Sequence, residues 1–211
     1  MDDKLKIACL ASGSGTNLQA IIDNIESGKL EAKITAVISN VPESGALERA
    51  KKHELSCFLV NNRDFPSREA FDRELAAIID KQEARLICLC GFLRIFSPFF
   101  VDHYPNRIIN IHPALLPDFG GKGFYGHKVH EAVLASGAKI SGCTVHFVDR
   151  DVDHGPIILQ RKVAVLPGDT PDSLAARILK EEHIAYPQAI SMIARNEIDI
   201  SDSKVIFKTQ K

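Results

Sequence analysis

Residues 6–28 read KIACLASGSGTNLQAIIDNIESG. Lys6–Ser12 is an almost unbroken apolar run that reads as a strand. A Gly/Ser turn follows it. From Asn17 apolar residues recur at helical spacing, and Gly28 supplies the stop. Strand, tight turn and helix make the first half of a βαβ unit, and the alternation continues outward from there. ITAVISN (34–40) reads as a second strand, SGALERAKKHE (44–54) as a helix opening at Ser44, and CFLV (57–60) as a short third strand. SREAFDRELAAIIDK (67–81) carries Phe71, Leu75, Ile78 and Ile79 on one helical face, with a Ser/Glu start resembling a capping box. RLICLCGF (85–92) and RIINIH (107–112) are further strands. This order predicts an α/β fold with a mostly parallel, doubly wound (Rossmann-like) sheet joined by right-handed crossovers.

Beyond Pro113 the texture changes. A Gly-rich loop, DFGGKGFYGH (118–127), leads into a helix around His127–Ala135. SGCTVHFVD (141–149) and PIILQRKVAV (156–165) alternate in the manner of antiparallel partners, which predicts an antiparallel C-terminal extension. A long helix closes the chain from Ser173, with Pro187 expected to kink or break it, and SDSKVIFKTQK (201–211) reads as a short edge strand. Repeats, low-complexity segments and linkers are not evident, so one domain spanning 1–211 is expected.

The 211 residues are 45% hydrophobic and 25% charged, with a net charge of −1. That balance offers no basic field for nucleic acid and points to small-molecule partners. The start, MDDKLKIACLAS, has neither signal-peptide nor membrane-anchor character, so a cytoplasmic protein with no membrane association is expected. Five cysteines, without CxxC spacing, predict buried free thiols rather than disulfides or a zinc knuckle.

Four stretches could carry chemistry. Ser12–Asn17 (SGSGTN) lies between a strand and a helix and is either a plain βα turn or a site where free N–H groups attract an anion. It lacks the GK[ST] of a triphosphate loop, and the second strand ends in Asn40 rather than the acid that a ribose diol requires, so a phosphate monoester suits it better. Asn110 and His112 stand two apart at the end of a strand that Pro113 terminates, the edge where open α/β sheets bind ligands, and are either structural strand-end residues or a donor and a proton shuttle. Asp149–Pro156 (DRDVDHGP) is either a solvated acidic turn or a source of acid/base groups. A carboxylate from it that reached His112 would orient the ring and favour its protonated form. Gly91–Pro98 (GFLRIFSP) is either core or a slot for a flat ring beside Arg94.

Taken together, SGSGTNLQAII (12–22), GFLRIFSPFFV (91–101), NIHPALLP (110–117), DVDHGPIILQ (151–160) and EEHIAYP (181–187) resemble the folate-dependent formyltransferases, and among them the glycinamide ribonucleotide formyltransferases, in both order and spacing. The resemblance covers about Lys6 to Asn196. It implies the formyltransferase fold, with a phosphate-binding half about 1–100 and a folate and catalytic half about 101–211. It also implies transfer of the formyl group of 10-formyltetrahydrofolate, a co-substrate, to the amine of N1-(5-phosphoribosyl)glycinamide in purine synthesis, without a metal.

Carried onto this sequence, the resemblance makes Asn110, His112 and Asp153 catalytic. Ser14, Gly15, Thr16, Asn17 and Glu182 would hold the ribonucleotide. Arg68, Leu93, Arg94, Ile95 and Phe96, with Asn110 and the run Asp149, Arg150, Asp151, Val152 and Asp153, would border the folate. Such a reaction passes through a tetrahedral intermediate, whose oxygen gains charge that Asn110 and protonated His112 would stabilise, typically by roughly 3–4 kcal/mol per donor. Asp153 and His112 would divide the proton transfers. Two departures from the family pattern stand out: Phe119–Gly126 is longer than in the shortest members, and Leu179 stands where a polar residue facing the acceptor is expected. The rival readings are a formyltransferase acting on methionyl-tRNA or an amino sugar, a formyltetrahydrofolate hydrolase, and a non-catalytic folate- or nucleotide-binding module. Monomer and homodimer are both compatible with the sequence.

Overall fold

The computed structural model describes residues 4–208, which divide into two compact units between Asn110 and Ile111. In the first unit, strands β1 (Leu5–Ala11), β2 (Ala32–Ser39), β3 (Cys57–Leu59), β4 (Leu86–Leu89) and the start of β5 (Ile108–His112, whose last two residues fall in the second unit) alternate with helices α1 (Thr16–Glu26), α2 (Gly45–Lys52), α3 (Arg68–Lys81) and α4 (Pro98–His103). The strands are parallel in the order β3-β2-β1-β4-β5. Strands β1 and β4 are buried along most of their length, as their continuous apolar runs require. Ile7, Leu10, Leu18, Ile21, Ile38, Leu75, Ile79, Leu86, Ile87, Phe100 and Tyr104 are fully buried. The α/β expectation is borne out, and helix α2 opens at Ser44, whose side chain accepts from the Leu47 N–H.

In the second unit, α5 (His127–Ala135) precedes the antiparallel pair β6 (Ile140–Phe147) and β7 (Ile157–Ala164), the antiparallel extension expected from sequence. Helix α6 (Pro171–Ala194) packs on β6, β7 and α5. It starts two residues earlier than Ser173, because Thr170 and Ser173 cap each other's backbone N–H groups and Pro171 takes the first helical position.

Three expectations are corrected. Pro187 does not break α6, which is continuous to Ala194; the proline is buried, and packing on both sides of it outweighs the one lost N–H. The tail forms a hairpin, β8 (Ile198–Ser201) and β9 (Lys204–Phe207), turning through Asp202 and Ser203, both at positive φ, as a two-residue hairpin loop requires. Gln210 and its neighbours at 209 and 211 lie outside the described residues. At α3, Ser67 accepts from the Ala70 N–H, but Glu69 is one position short of closing a capping box and instead binds Arg73 one turn on.

Candidate active site

In the first unit the winding reverses between β1 and β4: β2 and β3 step outward on one side, β5 on the other. Ligands bind at the strand C-termini of such a switch point. Two loops leave it side by side, tied by the Ser12 N–H donating to the Gly91 carbonyl at 3.1 Å.

The first loop, Ser12–Gly15, feeds α1. Gly15 sits at φ 71° at its N-cap, so no side chain caps the helix, and no acid occupies its first turn. The uncapped N–H groups and the helix dipole leave an anion-binding end. Arg49 pins the loop by donating to the Ser14 carbonyl (2.9 Å) and to Gln19 Oε1 (2.9 Å). Gly15 cannot be replaced cheaply, because a Cβ there would lie 2.7 Å from Ala46 Cα in a left-handed conformation. Gly15→Ala is expected to cost about 1–3 kcal/mol of stability. Gly13→Ala, with nothing within 4 Å of its Cβ, should be near neutral. Urea denaturation of the two variants checks this; equal midpoints would contradict it.

The second loop, Gly91–Ser97, is held at both ends. Phe92 and Phe96 are buried, Phe96 stacked between Phe92 (5.6 Å) and Phe100 (4.2 Å). Buried Asp72 of α3 accepts from the Ser97 N–H. Burial pushes the Asp72 carboxyl up, against that bond and the charges of Arg68 and Arg94. Leu93, Arg94 and Ile95 between the anchors are exposed, an apolar and cationic platform suited to a flat, acidic ligand. Arg68, in the first turn of α3, is exposed as well. Asn110 is half-buried near the end of β5.

In the second unit, His112 ends β5 and is 4% exposed. Its Nε2 lies 2.8 Å from the Phe119 carbonyl, which fixes that nitrogen as a donor, and its Nδ1 lies 3.6 Å from Asp153 Oδ2. Acceptors therefore face both ring nitrogens, Nε2 at hydrogen-bond distance and Nδ1 at ion-pair distance. The Asp153 carboxylate also accepts from the Gly121 N–H (3.0 Å), while its other oxygen is 3.7 Å from His146 Nε2. His146 is 1% exposed on β6, with Nδ1 held by the Phe147 carbonyl at 2.8 Å. Burial lowers its basicity, opposed by that carbonyl and by Asp153. Asp153 sits at φ 57° in a loop fixed by Gly155, where a Cβ would come within 2.1 Å of the Phe147 carbonyl. The segment after His112 is clamped by two residues that the sequence reading missed. Thr144 Oγ1 donates to the Ala114 carbonyl and accepts from the Leu116 N–H, and the Gln160 amide donates to the Leu116 carbonyl and to Thr144.

The structure therefore brings His112 and Asp153 together, as expected. Asp149 instead serves its own loop, accepting from the Asp151 N–H and pairing with His154, while Arg150, Asp151 and Val152 are exposed around it. Glu182 is buried on α6, where its charge acts on the thiol of Cys143, which burial pushes up to about 12. Leu179 is half-buried. Among the described residues no three His, Cys, Asp or Glu side chains are placed to hold a metal ion, and no helix is long and apolar enough to cross a membrane. The five cysteines are free, four of them buried.

A further histidine in this unit makes stability pH-dependent. His130 on α5 is buried, its Nδ1 has no hydrogen-bond partner, and burial, with the charges of His127 and His112, lowers its pKa to about 4. An unfolded histidine titrates near 6.5, so the unfolded chain binds a proton that the folded one refuses between roughly pH 6.5 and 4. The contribution is complete above that window and lost as pH falls through it. The melting temperature should decline from neutral pH towards pH 4, and His130→Leu should make the decline shallower. An unchanged slope in the variant would refute the assignment.

These features define a formyltransferase: the family model described as "Formyl transferase" matches residues 5–190, and the chain belongs to that family. Within it, the chain is 41% identical over 207 residues to the phosphoribosylglycinamide formyltransferase of Escherichia coli (strain K12), covering 98% of this chain and 95% of that one. It is 36% identical over 200 residues to the human trifunctional purine biosynthetic protein adenosine-3, covering 95% of this chain and 19% of that protein. Among solved structures, glycinamide ribonucleotide transformylase 1 from Symbiobacterium toebii superposes with a TM-score of 0.93 at 41% identity, covering 98% of this chain and 95% of that one.

Proposed function

We propose that this protein transfers the formyl group of 10-formyltetrahydrofolate to the amine of N1-(5-phosphoribosyl)glycinamide, in de novo purine biosynthesis. The observation that carries the reading is buried His112 set against Asp153, in a chain 41% identical across nearly its whole length to an E. coli enzyme named for that activity.

Ser14, Gly15, Thr16 and Asn17 hold the acceptor's phosphate through N–H and hydroxyl donors at the start of α1, and Glu182 binds its ribose. The acidic tail of the folate suits Arg68, and its ring suits Leu93, Arg94, Ile95 and Phe96 with the main chain of Asp149 to Asp153. The folate supplies an activated formyl carbon. As the acceptor amine forms its C–N bond, the formyl oxygen gains negative charge, which the amide of Asn110 and the protonated ring of His112 stabilise. The C–N bond to the folate then breaks. The amine's proton leaves through Asp153, and the folate nitrogen regains one from His112. Every proton and charge in this scheme has a side chain to carry it, so it calls for no metal.

In this reading the chain works as one formyltransferase domain, with the phosphate function in about 1–100 and the folate and catalytic function in about 101–211. It acts on small molecules in the cytoplasm, as a monomer or homodimer. An absorbance assay with 10-formyl-5,8-dideazafolate, with and without the ribonucleotide, tests the reading. Turnover strictly dependent on the ribonucleotide is expected. Turnover without it would identify a hydrolase, and none in either case would leave an amino-sugar acceptor or a binding role.

A further inference from the structure

The Gly91–Ser97 loop has one anchor that belongs, by sequence, to the other loop. Ser12 stands at the head of the phosphate-loop motif, yet its hydroxyl is not turned to that task. Its Oγ accepts from the Leu93 N–H at 2.9 Å and donates to Asn40 Oδ1 at 2.7 Å. Asn40, buried after β2, in turn donates through Nδ2 to Asn62 Oδ1 at 3.1 Å. The chain has a direction. The Leu93 N–H can only donate, so a Ser12 lone pair faces it, the hydroxyl proton goes to the Asn40 carbonyl, and the Asn40 amide N–H is left for Asn62. Together with the Ser12 N–H to the Gly91 carbonyl, this ties the start of the exposed Leu93–Ile95 platform from one residue, as Asp72 ties its end.

We propose that Ser12, oriented by Asn40, is a positioning residue for the formyl donor: it sets the Leu93 end of the folate platform and makes no contribution to holding the acceptor's phosphate. This rests on the reading of Leu93–Phe96 as a folate border. A residue that only fixes the pose of a binding loop acts on affinity for the ligand of that loop, and leaves the chemical step to the groups that touch the reacting atoms.

The test compares wild type, Ser12→Ala and Ser12→Thr by steady-state kinetics and by direct calorimetric binding of 10-formyl-5,8-dideazafolate without ribonucleotide. Ser12→Ala is expected to raise both the KM and the Kd for the folate analogue about five- to tenfold, the worth of one hydrogen bond. Its kcat and its KM for the ribonucleotide should stay within about twofold, and Ser12→Thr, which keeps the hydroxyl, should restore most of the folate affinity. An unchanged folate Kd in Ser12→Ala overturns the proposal, as does a rise confined to the ribonucleotide KM. A parallel rise for both ligands with a lowered melting temperature marks a merely structural role and also overturns it. Wild type that binds the analogue without turnover defeats the proposed reaction but leaves the Ser12 comparison readable through Kd; wild type that fails to bind it defeats both.

Discussion

His112→Asn is expected to fold normally and to lose two or more orders of magnitude in kcat, about 2.7 kcal/mol or more of transition-state stabilisation. The asparagine side chain is shorter than the ring it replaces, and its amide takes the place of the Nδ1 edge that faces Asp153. It cannot carry a positive charge, and it puts no proton on the leaving nitrogen. The loss should therefore fall on kcat, with the KM values for both substrates little changed. Rates are read with the absorbance assay, and circular dichroism confirms the fold; a near-normal rate would remove His112 from the chemistry.

Asp153→Asn should cost a comparable amount, about 10²- to 10³-fold in kcat, through a different loss. The amide oxygen can still accept from the Gly121 N–H, so the Phe119–Gly121 turn keeps its anchor. What disappears is the negative charge 3.6 Å from His112 Nδ1, and with it both the partner of the protonated ring and the acceptor for the amine's proton. Because the two residues work as a unit, the double variant should be little slower than the worse single one. Multiplying penalties would show that they act independently.

Much of this was legible in the sequence, for reasons that also explain what was not. Helices α1 to α3 and strands β1, β2 and β4 announce themselves because a buried parallel sheet demands continuous apolar strands and helices demand one apolar stripe. Helix α4 did not, since a six-residue helix inside an apolar stretch has no period to read. The tail hairpin was hidden because its turn uses Asp202 and Ser203 instead of the Asn-Gly or Asp-Gly that normally marks positive φ. Pro187 misled because the cost of a proline is local while the packing that offsets it is tertiary.

At the site, His112 and Asp153 carried a sequence signal because each borders a motif with its own turn chemistry. The residues that fix them carried a fainter one. Thr144 and His146 are polar at a two-residue interval in the apolar strand Ile140–Phe147, so one face of β6 presents both, and that interval was the available clue. Gln160 gave none, because an amide's value lies in the orientation its partners impose. Phe119 acts through its carbonyl, which no side-chain pattern can reveal.

In the proposed reaction the formyl group passes directly to a ribonucleotide amine at the His112–Asp153 pair. Following an isotopically labelled formyl carbon from the folate by mass spectrometry in a single turnover tests this. The label is expected in the N-formyl ribonucleotide, with formate at background and the transfer abolished on this timescale in His112→Asn. Label released as formate at the same rate with or without the ribonucleotide would contradict it.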